Sequence, residues 1–168
     1  YPIATNSITN TKSQIVRFND GTLAVTYLKQ VSSYRQLFAA FSTNGGQNWS
    51  ETQLTNTGVD KYEVTTAFHP SGSICAVWTE ARVDSGKDVK AVRYVQGQWS
   101  DIAVISDNNT NNKESPDIAV NALDQFGVVW YETSGSYKII KFAYHRAGYW
   151  RTPLDISSAT TVAYLPAI

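Results

Sequence analysis

The apolar positions of this chain fall in short runs separated by polar turns, and none of the runs repeats at the period of a helix. Three runs, at residues 23–28, 74–78 and 126–131, are rich in β-branched and aromatic side chains and are predicted to be central, buried strands. Each follows a turn signal containing Gly, Pro, Asn or Asp, and another short strand precedes that turn. The pattern predicts antiparallel hairpins in an all-β protein.

The same unit recurs three times along the sequence. Trp49, Trp99 and Trp150 are spaced by 50 and 51 residues. A second aromatic series recurs at 51 and 52 residues: Tyr27, Trp78 and Trp130. A third strand follows each hairpin, and a glycine turn then leads to the tryptophan that opens a fourth. Four antiparallel strands, A to D, in each unit are typical of a β-propeller blade.

The repeat divides the chain into three whole blades and two incomplete ones. We predict the end of a preceding blade at 1–11, blade 1 at 12–60, blade 2 at 61–112, blade 3 at 113–161, and the first strand of a following blade at 162–168. The last segment is included because Pro166 repeats the position of Pro116. A ring needs about four to eight blades to close. We therefore expect an incomplete ring, part of a six- or seven-bladed propeller, that is completed by a longer chain or by further copies.

The turn before Trp49 resembles the Asp-box, Ser-x-Asp-x-Gly-x-x-Trp, of sialidases and the bacterial neuraminidase repeat. Ser42, Gly46 and Trp49 match the motif, and Asn44 replaces its aspartate. The resemblance implies a sialidase-like propeller in which this turn is a folding device: a polar side chain binds turn amides, glycine adopts positive φ and tryptophan packs between sheets. It extends upstream over residues 16–24, whereas blades 2 and 3 keep only the glycine and the tryptophan.

Sialidase activity requires an arginine cluster that holds a carboxylate, a tyrosine activated by a glutamate, and an aspartate that acts as acid and base. The resemblance places the first arginine in an Arg-Ile-Pro segment at the start of strand A. Residues 11–15 are Thr-Lys-Ser-Gln-Ile here, and the related segments 62–64 and 114–116 also lack the arginine. We therefore predict no catalytic residues.

One end of the predicted blades collects candidate ligand-binding side chains. Lys61 and Lys113 open strand A where Glu80 and Glu132 close strand B, so one interpretation is a structural cross-strand pair. The alternative is that this end forms a ligand-binding rim, since tyrosine beside carboxylates suits a sugar. The candidates are Tyr62, Glu63, Glu80, Arg82, Asp107, Glu114, Tyr131 and Glu132.

Charge and composition narrow the classes of partner. The formal net charge is zero, so no overall field attracts nucleic acid or anionic lipid, and no apolar stretch is long enough to cross a membrane. The oxygen-rich loop at 107–112 is either a solvated linker or a calcium site, although it lacks the spaced carboxylates of an EF-hand. We predict no cofactor and no metal ligands.

These observations lead to one main functional hypothesis. The chain is predicted to be a non-catalytic β-propeller binding module that recognises a glycan or another extracellular polymer. It would act outside the cell, at the cell surface or in the periplasm, with a glycan and the remaining propeller blades as its partners. A fragment of a sialidase-like glycoside hydrolase and a protein-interaction scaffold are the alternatives.

Overall fold

The computed structural model describes residues 13–158 and 166–168, and in these residues all regular structure is β-strand. This described part of the chain contains fourteen strands, which form three antiparallel sheets. The prediction of an all-β chain with three antiparallel sheets is confirmed. The predicted segment 1–11, together with residues 162–165 of the last segment, lies outside the described residues.

Each sheet is one continuous stretch of the chain. Blade 1 contains β1 (Gln14–Arg17), β2 (Leu23–Val31), β3 (Tyr34–Ser42) and β4 (Ser50–Gln53). Blade 2 contains β5 (Lys61–Phe68), β6 (Ile74–Ala81), β7 (Lys87–Val95), β8 (Gln98–Trp99) and β9 (Ala103–Val104). Blade 3 contains β10 (Asn112–Val120), β11 (Phe126–Ser134), β12 (Tyr137–Arg146), β13 (Tyr149–Trp150) and β14 (Leu154–Asp155). Strands β1 to β4, β5 to β8 and β10 to β13 are neighbours in chain order, so the connections between them are hairpins. The exact segment bounds stay predictions.

The outermost strand, D, is split into two pieces in blades 2 and 3. Strands β8 and β9 both pair with β7, and β13 and β14 both pair with β12. In blade 2 the Ser100 hydroxyl accepts the Arg93 backbone N–H at 3.1 Å, and in blade 3 Pro153 has no N–H to donate. A short, interrupted outer strand limits pairing with other molecules.

Aromatic side chains from the middle of strand B fill the spaces between blades. Trp78 of blade 2 is fully buried and packs with Leu28 and Leu37 of blade 1. Trp130 of blade 3 is also fully buried and packs against the facing side of blade 2, where Val77 lies. Because successive residues of a strand point to opposite faces, one strand of blade 2 serves both junctions.

Side chains also connect the innermost strands of successive blades. The Thr66 backbone N–H of blade 2 donates to Gln14 Oε1 of blade 1 at 2.7 Å. Thr65 Oγ1 donates to Asp117 Oδ1 of blade 3 at 3.4 Å, and the Ile168 N–H donates to Asp117 Oδ2 at 3.1 Å. Residues 166–168 therefore contact the innermost strand of blade 3 through the same carboxylate group that bonds to blade 2.

The turn that resembles the Asp-box is held by its own side chains. Ser42 Oγ accepts the Gly46 N–H at 2.8 Å and donates to Asn44 Oδ1 at 3.0 Å. Asn44 Oδ1 also accepts the Asn48 N–H at 2.9 Å, and the Trp49 indole N–H donates to the Gly46 carbonyl at 3.1 Å. Gly46 has φ +87°, a conformation that disfavours side chains. Within the described residues, Trp49 packs against blade 1 itself.

Asn44 offers a test of this turn. Asn44→Ala is expected to lower the free energy of unfolding by about 1 kcal/mol, because two donors lose their acceptor. Asn44→Asp keeps both contacts with a charged acceptor and is expected to be at least as stable as the natural chain. Urea denaturation measures both variants. Equal stability of the alanine variant and the natural chain would contradict this role of the turn.

Candidate functional site

The inner strands of blades 2 and 3 carry the same bulge near their start. The pairing register shifts between Tyr62 and Thr65, and again between Glu114 and Asp117. Glu63, a predicted ligand-binding residue, occupies the first bulge at φ +51° and is exposed, with Oε2 accepting the Ser115 N–H at 3.2 Å. Bulges re-aim side chains and are enriched next to functional sites.

The two lysines that open strand A are fully buried. Lys61 donates to the Val59 carbonyl at 2.7 Å and to the Thr57 hydroxyl, and Lys113 donates to the Asn109 carbonyl and side-chain oxygen, both at 2.9 Å. Each lysine therefore holds the linker that enters its own blade. Burial lowers the pKa of both ammonium groups.

The glutamates that close strand B are buried as well. Glu80 is 6% exposed and lies 3.3 Å from Lys61 Nζ and 2.5 Å from Lys90 Nζ, so the cross-strand pair exists in blade 2. Glu132 is 2% exposed and accepts the side-chain amides of Asn109 and Asn111 at 2.8 and 2.7 Å. The structure therefore places both predicted ligand-binding glutamates beneath the surface.

Arg82 and Asp107, two further candidates, are paired within the protein. Arg82 Nη1 donates to the Asn109 carbonyl at 2.6 Å and to Asp88 at 3.0 Å, and Asp107 accepts from Lys141 at 2.8 Å. The loop 107–112 is therefore tied to blades 2 and 3, with Asn108 and Thr110 exposed. In the described part of the chain, no group of three His, Cys, Asp or Glu side chains could hold a metal ion.

The remaining candidates, Tyr62, Glu114 and Tyr131, meet at the same end. The Tyr131 hydroxyl donates to Glu114 Oε2 at 2.6 Å, and Lys87 donates to Glu114 Oε1 at 3.2 Å. Burial and the hydrogen bond to Glu114 raise the pKa of Tyr131 to about 12. Burial opposes ionisation of Glu114, but the bonds from Tyr131 and Lys87 outweigh it and hold the pKa of Glu114 below its usual value. Near neutral pH, Glu114 is therefore ionised and Tyr131 is neutral.

Three basic side chains occupy equivalent positions on the three blades. Arg35, Lys87 and Lys138 each lie near the start of strand C, spaced by 52 and 51 residues, and we call them the cation row. Arg35 lies 3.9 Å from the ring centre of Tyr62, Lys87 5.0 Å from the same ring, and Lys138 3.9 Å from the ring of Tyr131. Cation–π contact orients all three.

The cation row was not predicted from the sequence. Its spacing of 52 and 51 residues is close to the 50 and 51 residues between the tryptophans, so an alignment of the three units reveals it. The rim therefore consists of the cation row together with Tyr62, Glu63, Glu114 and Tyr131. Its charges are partly neutralised, since Arg35 lies 3.3 Å from Asp60 and Lys87 pairs with Glu114.

Glu114 also makes the stability of the rim depend on pH. Its pKa is lower in the folded chain, so as pH falls below the usual glutamate value of 4.5 the unfolded chain takes up the proton first. Stability is therefore expected to fall in that range, and Glu114→Gln is expected to make the fall shallower. Urea midpoints of both proteins at pH 7 and pH 4 measure this. An identical fall in the two proteins would contradict it.

No protein-family model and no curated protein sequence matches this chain. Among the described residues no helix is long and apolar enough to cross a membrane.

Solved structures of glycan-active proteins share its fold. An ulvan lyase of polysaccharide lyase family PL25 is 10% identical, with a TM-score of 0.62 over 83% of this chain and 42% of the lyase. A Trypanosoma rangeli sialidase in complex with sialic acid is 10% identical, with a TM-score of 0.59 over 83% of this chain and 29% of the sialidase. A fucose lectin from Kordia zhangzhouensis, in complex with methyl-fucoside, is 12% identical, with a TM-score of 0.55 over 88% of this chain and 99% of the lectin.

The chain thus spans less than half of the lyase and of the sialidase, and nearly the whole length of the lectin chain. At these identities the likeness shows the fold alone. The three antiparallel sheets of this chain are blades of a β-propeller.

Proposed function

We propose that this chain is a non-catalytic β-propeller module that binds an acidic carbohydrate on the rim formed by the cation row. The observation that supports it is the cation row itself, in which three successive blades present a basic group at the same position. Lysine and arginine bind the carboxylates and sulfates of acidic sugars through charge-assisted hydrogen bonds. A polymer that crosses the blades would meet one cation on each.

The contacts of the row favour a binding role because its side chains are already ordered. Arg35 and Lys138 each lie 3.9 Å from a tyrosine ring, so little conformational entropy is lost when a ligand binds. In the described residues no carboxylate forms an ion pair with Lys138. Lys138 therefore provides an ammonium group for the first contact with an anionic sugar.

The proposal includes a larger ring and a location outside the cell. Residues 166–168 lie against blade 3 as the inner strand of a further blade would, which supports additional blades after residue 161. A longer chain or further copies would supply them. Sedimentation of the purified chain distinguishes the two, since ring closure by copies requires a mass of at least twice the 18.6 kDa of one chain.

Titration calorimetry with defined oligosaccharides tests the proposed function. Oligogalacturonate and a sulfated oligosaccharide are expected to bind, with an affinity that falls as salt rises because the contacts are ionic. An uncharged oligosaccharide of the same length serves as the control and is expected to bind this rim weakly. Binding of the acidic oligosaccharides that does not weaken as salt rises, or no binding by either of them, would overturn the proposal.

One observation favours hydrolysis as a second candidate function. The Tyr131 hydroxyl lies 2.6 Å from Glu114, as in a tyrosine nucleophile with its activating carboxylate. The same arrangement recurs inside blade 1, where Tyr27 and Lys29 contact Glu51 at 2.5 and 2.7 Å, which favours a structural role. Release of sialic acid from sialyllactose by the natural chain, lost in Tyr131→Phe, would favour hydrolysis over binding alone.

A further inference from the structure

The opposite end of the blades, where the A–B and C–D turns lie, has a groove between blades 1 and 2. Its volume is about 560 Å³, which is within the range of small-molecule sites. The A–B turns of both blades form its two sides. It lies far along the strands from the cation row, because the row is at the start of strand C and the groove is at its end.

Aromatic rings line the groove on both blades. Phe41 of blade 1 and Tyr94 of blade 2 have ring centres 4.9 Å apart, and Tyr94 is 5.0 Å from Trp99. Phe41 and Tyr94 are half-buried, so they keep surface facing the groove. Aromatic surface of this kind packs against the C–H face of a sugar ring.

The other lining groups are short polar side chains. They include Asn19, Asp20, Thr43, Ser71 and Gln96, and among residues 13–158 and 166–168 neither lysine nor arginine lines the groove. Amides, hydroxyls and one carboxylate can hydrogen-bond the hydroxyls of a sugar but provide no cation for an acidic group. The lining therefore fits an uncharged saccharide better than an anionic one.

The turns that carry these groups are fixed in place. The Phe18 N–H donates to the Thr22 carbonyl at 2.8 Å, and the His69 N–H donates to the Ser73 carbonyl at 2.9 Å. Gln96 and Gly97 both have positive φ, the geometry of a tight hairpin turn. The groove is therefore formed before any ligand arrives.

The corresponding junction between blades 2 and 3 carries charged side chains. Arg93, which takes the place of Phe41 in the repeat, lies 3.3 Å from His145 and 3.5 Å from Asp124. Asp124 also accepts from the Ser73 hydroxyl. The groove between blades 1 and 2 therefore differs in its lining from the second junction, where Arg93 and Asp124 replace the uncharged groups.

We propose that this groove is a second carbohydrate site, which takes an uncharged mono- or disaccharide. It is independent of the proposed rim site in position and in ligand charge. Nuclear magnetic resonance of the ¹⁵N-labelled chain, titrated with arabinobiose, methyl fucoside, cellobiose and lactose, tests it. At least one of these sugars is expected to shift the amide signals of residues 18–22, 41–43, 71–72 and 94–97.

Two variants make the test specific. Asn19→Ala and Gln96→Gly each remove a side-chain amide, and glycine accepts the positive φ of Gln96, so both should fold. Each is expected to weaken binding about tenfold. Ala147→Gly is the matched control, since Ala147 holds the same turn position in blade 3 at φ +54° and should leave binding unchanged.

Three outcomes would overturn the second site. They are no shift with any of the four sugars, shifts confined to the cation row and its tyrosines, and equal binding by the natural chain and both amide variants. Failure of the rim to bind acidic sugars would leave this site unaffected, and the reverse also holds.

Discussion

Glu80→Ala is expected to lower the free energy of unfolding by about 3–5 kcal/mol, because it leaves a buried ammonium group without its counter-charge. Lys61 is fully buried and lies 3.3 Å from Glu80, while Lys90 is 2.5 Å from the same carboxylate. Lys90 is partly exposed and can turn to water, but Lys61 cannot do so without disturbing the linker that it holds. Urea denaturation with a constant m-value measures the loss.

A double variant separates charge burial from loss of packing. Lys61→Met combined with Glu80→Leu replaces the buried pair with apolar side chains and is expected to recover most of the loss. If Glu80→Ala changes stability by less than about 1 kcal/mol, water solvates Lys61 and the buried pair has no structural role. If the double variant is no better than the single one, the lost stability comes from packing alone.

Replacing Arg35, Lys87 and Lys138 together with alanine is expected to weaken oligogalacturonate binding at least about a hundredfold. Each charge-assisted contact contributes about 1.5–3 kcal/mol, and 1.4 kcal/mol corresponds to a factor of ten in affinity. The salt dependence of binding should disappear with the three charges. The same calorimetric titration measures both effects. The fold should persist, because all three side chains lie partly exposed at the ends of hairpins.

The chain offers a control with the same change in net charge. Arg17, Arg146 and Arg151 are exposed on described residues at the end opposite the cation row. Their triple alanine variant also removes three positive charges and is expected to leave oligogalacturonate binding within about twofold of the natural chain. If the two triple variants lose affinity equally, long-range charge rather than the cation row attracts the ligand. That result would contradict the rim as a specific site.

The repeat was predictable because it depends on residues that are close together in the sequence. Tryptophans at a constant spacing and turn residues at constant offsets predict hairpins without knowledge of their partners. The residues at which strands begin and end were harder to predict from the sequence. The outer strand of blade 3 is interrupted near Pro153. Whether a proline interrupts a strand depends on whether the neighbouring strand needs a hydrogen bond from that backbone nitrogen, which a proline cannot donate.

The candidate site was predictable only in part. The sequence placed Tyr62, Glu114 and Tyr131 at one end of the blades, and the structure brings them together. It also suggested Glu80 and Glu132 as ligand-binding groups, and these side chains are almost fully buried. Strand alternation identifies the end of a hairpin, but the linker that covers that end comes from a different part of the chain.

What the sequence by itself determined is therefore the unit: a four-stranded antiparallel sheet, repeated three times, with a polar turn before Trp49. Which charges remain in contact with solvent was decided by the tertiary structure alone. Lys61 and Lys138 are both lysines near a strand start, yet one is sealed by the incoming linker and the other lies over a tyrosine ring. Burial depends on contacts between distant segments, and a local pattern of residues does not record them.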